Sequence, residues 1–139
     1  MFIKVTNGQP QTYTIGQLRR DNPNVSFPKD IPLETLASFN VYPVTTTSAP
    51  AIDSKTHRHS QSIVEVDGVW TQTWSTVELP LAQAEENVRA HRKNLLSETD
   101  YLALSDNTMS AAMTTYRQAL RDITDQAGFP YSVTWPTKP

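Results

Sequence analysis

Ile63-Val64-Glu65-Val66-Asp67-Gly68-Val69-Trp70-Thr71-Gln72-Thr73-Trp74 is the clearest hairpin in the chain. Asp-Gly supplies the two positive-φ residues that a type I′ turn requires, and both flanks carry β-branched and aromatic residues. A two-residue loop sets Val66 opposite Val69, Glu65 opposite Trp70 and Ile63 opposite Gln72. Alternation then puts Ile63, Trp70 and Trp74 on one face and Val64, Val66 and Val69 on the other. Apolar residues on both faces predict a ribbon buried on one side and covered or contacted on the other.

Upstream, residues 2–5 and 12–15 read as strands around the Asn7-Gly8 turn. Residues 15–20 predict a short helical turn with Ile15 and Leu18 on one side, broken by Asp21-Asn22-Pro23-Asn24. Pro28 and Pro32 exclude a continuous helix through the next stretch. Residues 33–39 predict a helix with Leu33, Leu36 and Ala37 facing inward and Asn40 as a left-handed stop. Residues 41–47 read as a strand that Pro43 confines to an edge or a bulge, and residues 46–56 as an exposed loop.

Downstream, Pro80 suits a first helical turn and divides a β-rich N-terminal domain, 1–79, from a helical C-terminal domain, 80–139. Leu81, Ala84, Val88, His91 and Leu95 form a stripe at spacings of three and four, with Glu85 and Arg89 as an i,i+4 pair. Residues 97–104 predict a short helical turn, ended by Ser105-Asp106-Asn107. A last helix over 110–127 presents Met113, Tyr116, Leu120, Ile123 and Ala127, with Arg121 and Asp125 paired outside, Gly128 as C-terminal cap and Pro130 as a block. The expected class is α+β: a small N-terminal sheet of β-hairpins with short helices, then a C-terminal helical hairpin and an extended tail.

Composition narrows the functions. A chain of 139 residues makes one domain or two small ones. Net charge is −2, which gives no general pull toward nucleic acid or an anionic membrane. There is no cysteine, so disulfides, thiolate metal sites and thiol nucleophiles are excluded. The polar start, Met1-Phe2-Ile3-Lys4-Val5, does not read as a signal peptide, and no apolar run reaches membrane-spanning length. The expected setting is a reducing cytosol.

No catalytic constellation stands out. His57 and His59 share one face of a possible strand, and His91 or Glu78 would have to complete a metal site. A polar strand end is the plainer reading. Asp100, Asp106, Asp122 and Asp125 suit helix ends and ion pairs. Four glycines offer no phosphate-cradling loop, and no nucleophile turn is present. Arg89, Arg92, Lys93, Arg117 and Arg121 read as solvated faces or salt bridges to a partner. Neither an enzyme nor a cofactor is expected. The aromatics fit a core equally well or an interface, where Trp, Tyr and Arg are enriched. The partner-binding candidates are Trp70, Trp74, Tyr116, Arg117, Arg121 and Trp135.

The residues 92–96, Glu98-Thr99-Asp100, Tyr116-Arg117-Gln118-Ala119-Leu120-Arg121-Asp122-Ile123, Gly128-Phe129-Pro130 and Trp135-Pro136 resemble the C-terminal domain of tailed-phage tail assembly chaperones. That family is related in style to tail fibre assembly proteins. Residues 15–23, Ser26-Phe27-Pro28, Val41-Tyr42-Pro43-Val44, and Asp67-Gly68 with Trp70, Gln72 and Trp74 are similar to the leading region often joined to that domain. The resemblance implies a phage protein made in the host bacterial cytoplasm. Its partner would be a tail fibre or other tail protein, with no nucleic acid, no membrane and an oligomer that follows the symmetry of a trimeric fibre. The alternative it leaves is a permanent component of the fibre or baseplate, retained in the virion.

Overall fold

The computed structural model describes residues 1–139. The elements are β1 (Phe2–Thr6), β2 (Gln9–Tyr13), α1 (Ile15–Asp21), α2 (Leu33–Ser38), β3 (Val41–Pro43), β4 (His57–Val66), β5 (Val69–Glu78), α3 (Leu81–Ser97) and α4 (Ala111–Arg121). Two short 3₁₀ turns, Asp100–Ala103 and Asp122–Asp125, follow the long helices. This is an α+β protein, as the sequence predicts. The chain forms two compact units, Met1–Pro50 with Ser60–Ser75, and Ala51–His59 with Thr76–Pro139.

In the first unit, Asn7 (φ 52) and Gly8 (φ 76) close the hairpin that pairs Thr6 with Gln9 and Phe2 with Tyr13. The sheet runs β2-β1-β3, all antiparallel, and Pro43 sits on its edge as expected. Thr14 ends β2 and starts α1 through a reciprocal cap: its hydroxyl accepts from Gln17 N, and Gln17 Oε1 accepts from Thr14 N. Tyr13, Leu18, Phe27, Leu36 and Val41 make the core, with Phe27 and Phe39 edge to face at 5.3 Å. Arg19 donates to the carbonyls of Phe27 and Pro28, which fixes the irregular chain between α1 and α2. Asn40 (φ 58) stops α2 in the left-handed region, as expected.

Tyr13 donates its hydroxyl proton to Asp21, and burial, then that bond and the Asp21 charge, push its pKa up to about 12. Leu36 points inward, but Leu33 corrects the expected inward set: it is 62% exposed. It stands in the first turn after Pro32, where this six-residue helix has not yet reached the core.

The β4–β5 turn has φ 50 at Asp67 and 77 at Gly68, the pattern the dipeptide predicts. Both strands are ten residues long, longer than their apolar centres indicate. Polar contacts across the ribbon extend them: Ser62 to Thr73 at 2.8 Å and Gln72 to Gln61 at 2.9 Å. The Trp70 and Gln72 face is packed, while Val64, Val66 and Val69 stay exposed rather than covered.

In the second unit, Ala84 and Val88 of α3 are fully buried and Leu95 and Leu96 pack against Met113, Tyr116 and Leu120 of α4. Leu81, the first residue of the expected stripe, is exposed at the start of α3. The last helix is shorter than 110–127. It ends at Arg121, and the following 3₁₀ turn buries Ile123 but leaves Ala127 exposed. Three residues per turn instead of 3.6 break the i,i+4 alignment, so Arg121 and Asp125 do not pair. Glu85 and Arg89 do, at 2.9 Å. Gly128 is not a helix cap. It lies in the turn that Ser132 N closes onto Gly128 O at 2.7 Å, and a Cβ there would meet Ser132 O at 2.0 Å. The next peptide bond, Phe129–Pro130, is cis.

Candidate partner-binding surfaces

Two of the six candidate anchors lie on β5. Alternation and the turn register put Trp70 and Trp74 on the same face, both half-buried. Trp74 Nε1 donates to Thr47 O at 2.9 Å, which holds the 45–47 segment along β5. Thr45 N donates to Trp70 O, and Gln72 N donates to Thr45 O, so that segment occupies the outer edge of β5. Trp70 is left beside Tyr42 at 6.3 Å between ring centroids. With Leu33, Ala37, Pro43 and Val69 they line an open groove of about 360 Å³ whose one charged wall residue is Glu34. An aromatic-walled, apolar concavity is what an aliphatic or aromatic anchor from a partner would fill.

The other four candidates lie in the second unit, where their situations differ. Tyr116 is 5% exposed and belongs to the α3–α4 core. Arg117 is 6% exposed. Its guanidinium donates to Leu96 O at 2.9 Å, to Thr99 Oγ1 at 2.6 Å and to Asp100 Oδ1 at 2.8 Å. It thereby satisfies a carbonyl at the end of α3 and a hydroxyl that is itself buried. Burial leaves Tyr116 and Arg117 little surface to present. Arg121 is exposed, and its carbonyl accepts from Arg92 Nη1. Trp135 is half-buried against the α4 core and edge to face with His91 at 4.6 Å. Its Nε1 is buried without an acceptor, so its hold on the unit is apolar.

Around α3, Arg89 lies over the Phe129 ring at 5.3 Å. Glu86, Arg89, Ala90, Arg92, Lys93 and Leu96 line a second open depression of about 490 Å³. Three cations against one carboxylate give it a positive character suited to an acidic segment.

The histidine pair does not assemble a metal centre. His57 Nδ1 meets Thr56 Oγ1 at 2.8 Å and its ring stands edge to face with Tyr131, while His91 is engaged by Trp135. No group of three His, Cys, Asp or Glu side chains is placed to hold an ion. Nearby, burial raises the Asp53 carboxyl, but the Lys55 N–H, the Lys55 ammonium and His57 more than offset this and hold it below its ordinary value.

Residues 85–139 match the model of the phage tail assembly chaperone protein family. Over these residues the chain is similar to that family. The match starts within α3 and takes in α4, Gly128 and the Trp135 tail, the C-terminal pieces on which the resemblance rests, while its pieces between residues 15 and 74 lie outside the match. No curated protein and no solved structure matches the chain. The match supports a role in phage tail assembly, with contacts to tail proteins.

Sequence reasoning passed over Tyr42 and Leu33 as surface residues. Tyr42 had a signal: in the 41–47 strand it alternates with Val41, so if one is buried the other faces away. Leu33 had none, because its spacing to Leu36 and Ala37 is that of a core stripe.

Proposed function

We propose that the protein is a non-enzymatic chaperone that binds a tail fibre or receptor-binding protein in the host bacterial cytoplasm and assists its folding, trimerisation or attachment. The match of residues 85–139 to the tail assembly chaperone family carries this reading. The apolar groove beside Trp70 and the cationic depression on α3 supply surfaces of the right character. Fibre chains are β-rich and intertwined. Before they trimerise they expose strand edges and apolar side chains, which aggregate unless covered.

Co-expression with the fibre protein of the same phage tests the reading. Soluble trimeric fibre should rise with the chaperone present, and Trp70→Ala should reduce the gain while the chaperone itself stays folded. Fibre that is equally soluble and trimeric without it ends the proposal. Quantitative mass spectrometry of purified particles beside infected-cell lysate separates the two fates. Absence from particles identifies a chaperone that departs. A fixed ratio to the fibre identifies a virion subunit.

A further inference from the structure

The groove beside Trp70 has a chemistry that selects its occupant. Its walls are mostly apolar: the Trp70, Tyr42 and Pro43 rings with the Leu33 and Val69 side chains. Leu33 is 62% exposed and Val69 51%, so neither serves the core of the protein. Three polar groups belong to the same wall residues. Trp70 Nε1 and Tyr42 Oη hydrogen-bond to nothing in the protein, and neither is among its buried unpaired atoms, so both reach solvent. The Glu34 carboxylate forms no ion pair, and no cation lines the groove.

These groups exclude two common occupants. A partner strand has no edge to join, because Thr45 N already bonds to Trp70 O, Thr45 O takes Gln72 N, and Pro43 has no N–H. A partner helix spends its carbonyls on its own main chain and would leave the indole N–H and the phenol O–H without acceptors. The groove asks for a segment with apolar rings, free carbonyls, few N–H groups and one positive charge.

We propose that the groove takes a proline-rich partner segment in the extended polyproline conformation, with one Lys or Arg set against Glu34. Such a segment has about three residues per turn and no internal hydrogen bonds, so its carbonyls are free, and its prolines bring no N–H. Its pyrrolidine rings stack on Trp70 and Tyr42, whose N–H and O–H donate to its carbonyls. The Glu34 charge then fixes which way the segment runs. The chain's own Pro136-Thr137-Lys138-Pro139 has this composition but is engaged elsewhere: Trp135 before it packs on the α4 core, and Lys138 pairs with Glu98 at 3.6 Å. The inference rests on the reading of this groove as a partner surface and names the chemistry of what binds there.

Nitrogen-15 NMR of the full chain tests it, through the indole N–H signals of its three tryptophans. Trp70→Phe identifies the Trp70 signal. The probe is a capped proline oligomer with one central lysine. Its addition should move the Trp70 signal and leave those of Trp74 and Trp135 in place. A capped alanine oligomer of equal length with the same lysine should bind at least about tenfold more weakly. Leu33→Ser, at an exposed position, should weaken the proline oligomer. Glu34→Lys should weaken it roughly fivefold and reverse the preference toward an oligomer with central glutamate, a reversal that misfolding cannot mimic. No shift at millimolar oligomer overturns the proposal. So does an alanine oligomer that binds as well, or Glu34→Lys without reversal. A Trp70 signal that moves with protein concentration alone would give the groove to a second copy and likewise overturn it. Oligomer binding without any gain of soluble fibre in co-expression would strike the chaperone reading and leave this one standing; the converse would strike this one alone.

Discussion

Around α1, in residues 1–50 and 60–75, the polar ties are local. Thr14 caps the helix that begins beside it, Asn22 Nδ2 reaches Leu18 O, and Arg19 reaches Phe27 and Pro28. Around α3 and α4, in residues 51–59 and 76–139, several span long stretches of chain. Asn87 donates to Lys55 O at 32 residues' separation, Tyr131 to Leu79 O at 52, and Arg117 to Leu96 O at 21. Local ties shorten the unfolded chain's search one element at a time, so the loss of one is contained. Long-range ties close large loops together, so one broken junction releases several elements at once. Substitutions at such junctions in the second unit should therefore cost more than comparable ones in the first.

The largest effect is expected at Gly128. A methyl group there would overlap the Ser132 carbonyl, which is main chain and cannot rotate aside. Gly128→Ala should lower stability by about 3 kcal/mol or more in denaturant unfolding and detach the tail that carries Trp135. Full retention of stability would mean that the 128–132 turn opens at little cost.

Arg117 comes next. Arg117→Ala removes three hydrogen bonds and leaves a gap at a buried site, where only Thr99 N and Oγ1 still serve the Leu96 carbonyl, and should cost about 2–4 kcal/mol. The Asp100 side chain is 63% exposed, so Asp100→Ala should cost less than about 1 kcal/mol. Equal losses from the two would shift the weight to the ion pair and away from the buried hydrogen bonds.

These two residues also mark the limit of what the sequence made legible. The β4–β5 turn, the α2 stop at Asn40 and the apolar faces of α3 and α4 follow from residue types whose backbone preference or spacing acts locally. Gly128 was recognisable as special, but its role depends on Ser132 coming back over it, which no local preference reveals. Arg117 had a signal. It falls at i+4 from Met113 and beside Tyr116, inside the apolar stripe, and a charge there is either a partner contact or an internal strut. Choosing between the two needs the position of Leu96 and Thr99. The ends of β4 and β5 escaped for a related reason, because hydroxyl and amide pairs across strands stabilise them and alternating hydrophobicity does not.

Tyr13 offers a test confined to the first unit. Its raised folded pKa means the protein holds the phenol proton more tightly than the unfolded chain does. The stabilisation is complete below pH 10 and is lost as pH rises toward 12, on the order of 2–3 kcal/mol across that window. Tyr13→Phe should lose about 1 kcal/mol at neutral pH with the Asp21 hydrogen bond. It should then show a shallower alkaline decline than the parent, measured as unfolding free energy against pH. Parallel declines would place the phenol in contact with solvent.

The smallest effects are expected at the helix caps, where the two units can be compared on like terms. Thr14 satisfies Gln17 N at 3.1 Å and is reciprocated by the Gln17 side chain, whereas Ser110 satisfies Met113 N at 3.1 Å alone. Each alanine variant should cost about 1 kcal/mol. The consequences should nevertheless separate. Helix α1 has seven residues and one fully buried side chain, Leu18, so fraying its first turn removes much of what holds it. Helix α4 has eleven residues and is fastened by Met113, Tyr116, Arg117 and Leu120. Amide exchange should therefore rise along the whole of α1 in Thr14→Ala but only in the first turn of α4 in Ser110→Ala. Exchange that spreads equally along both helices would show that the four buried side chains of α4 hold it no more firmly than Leu18 holds α1.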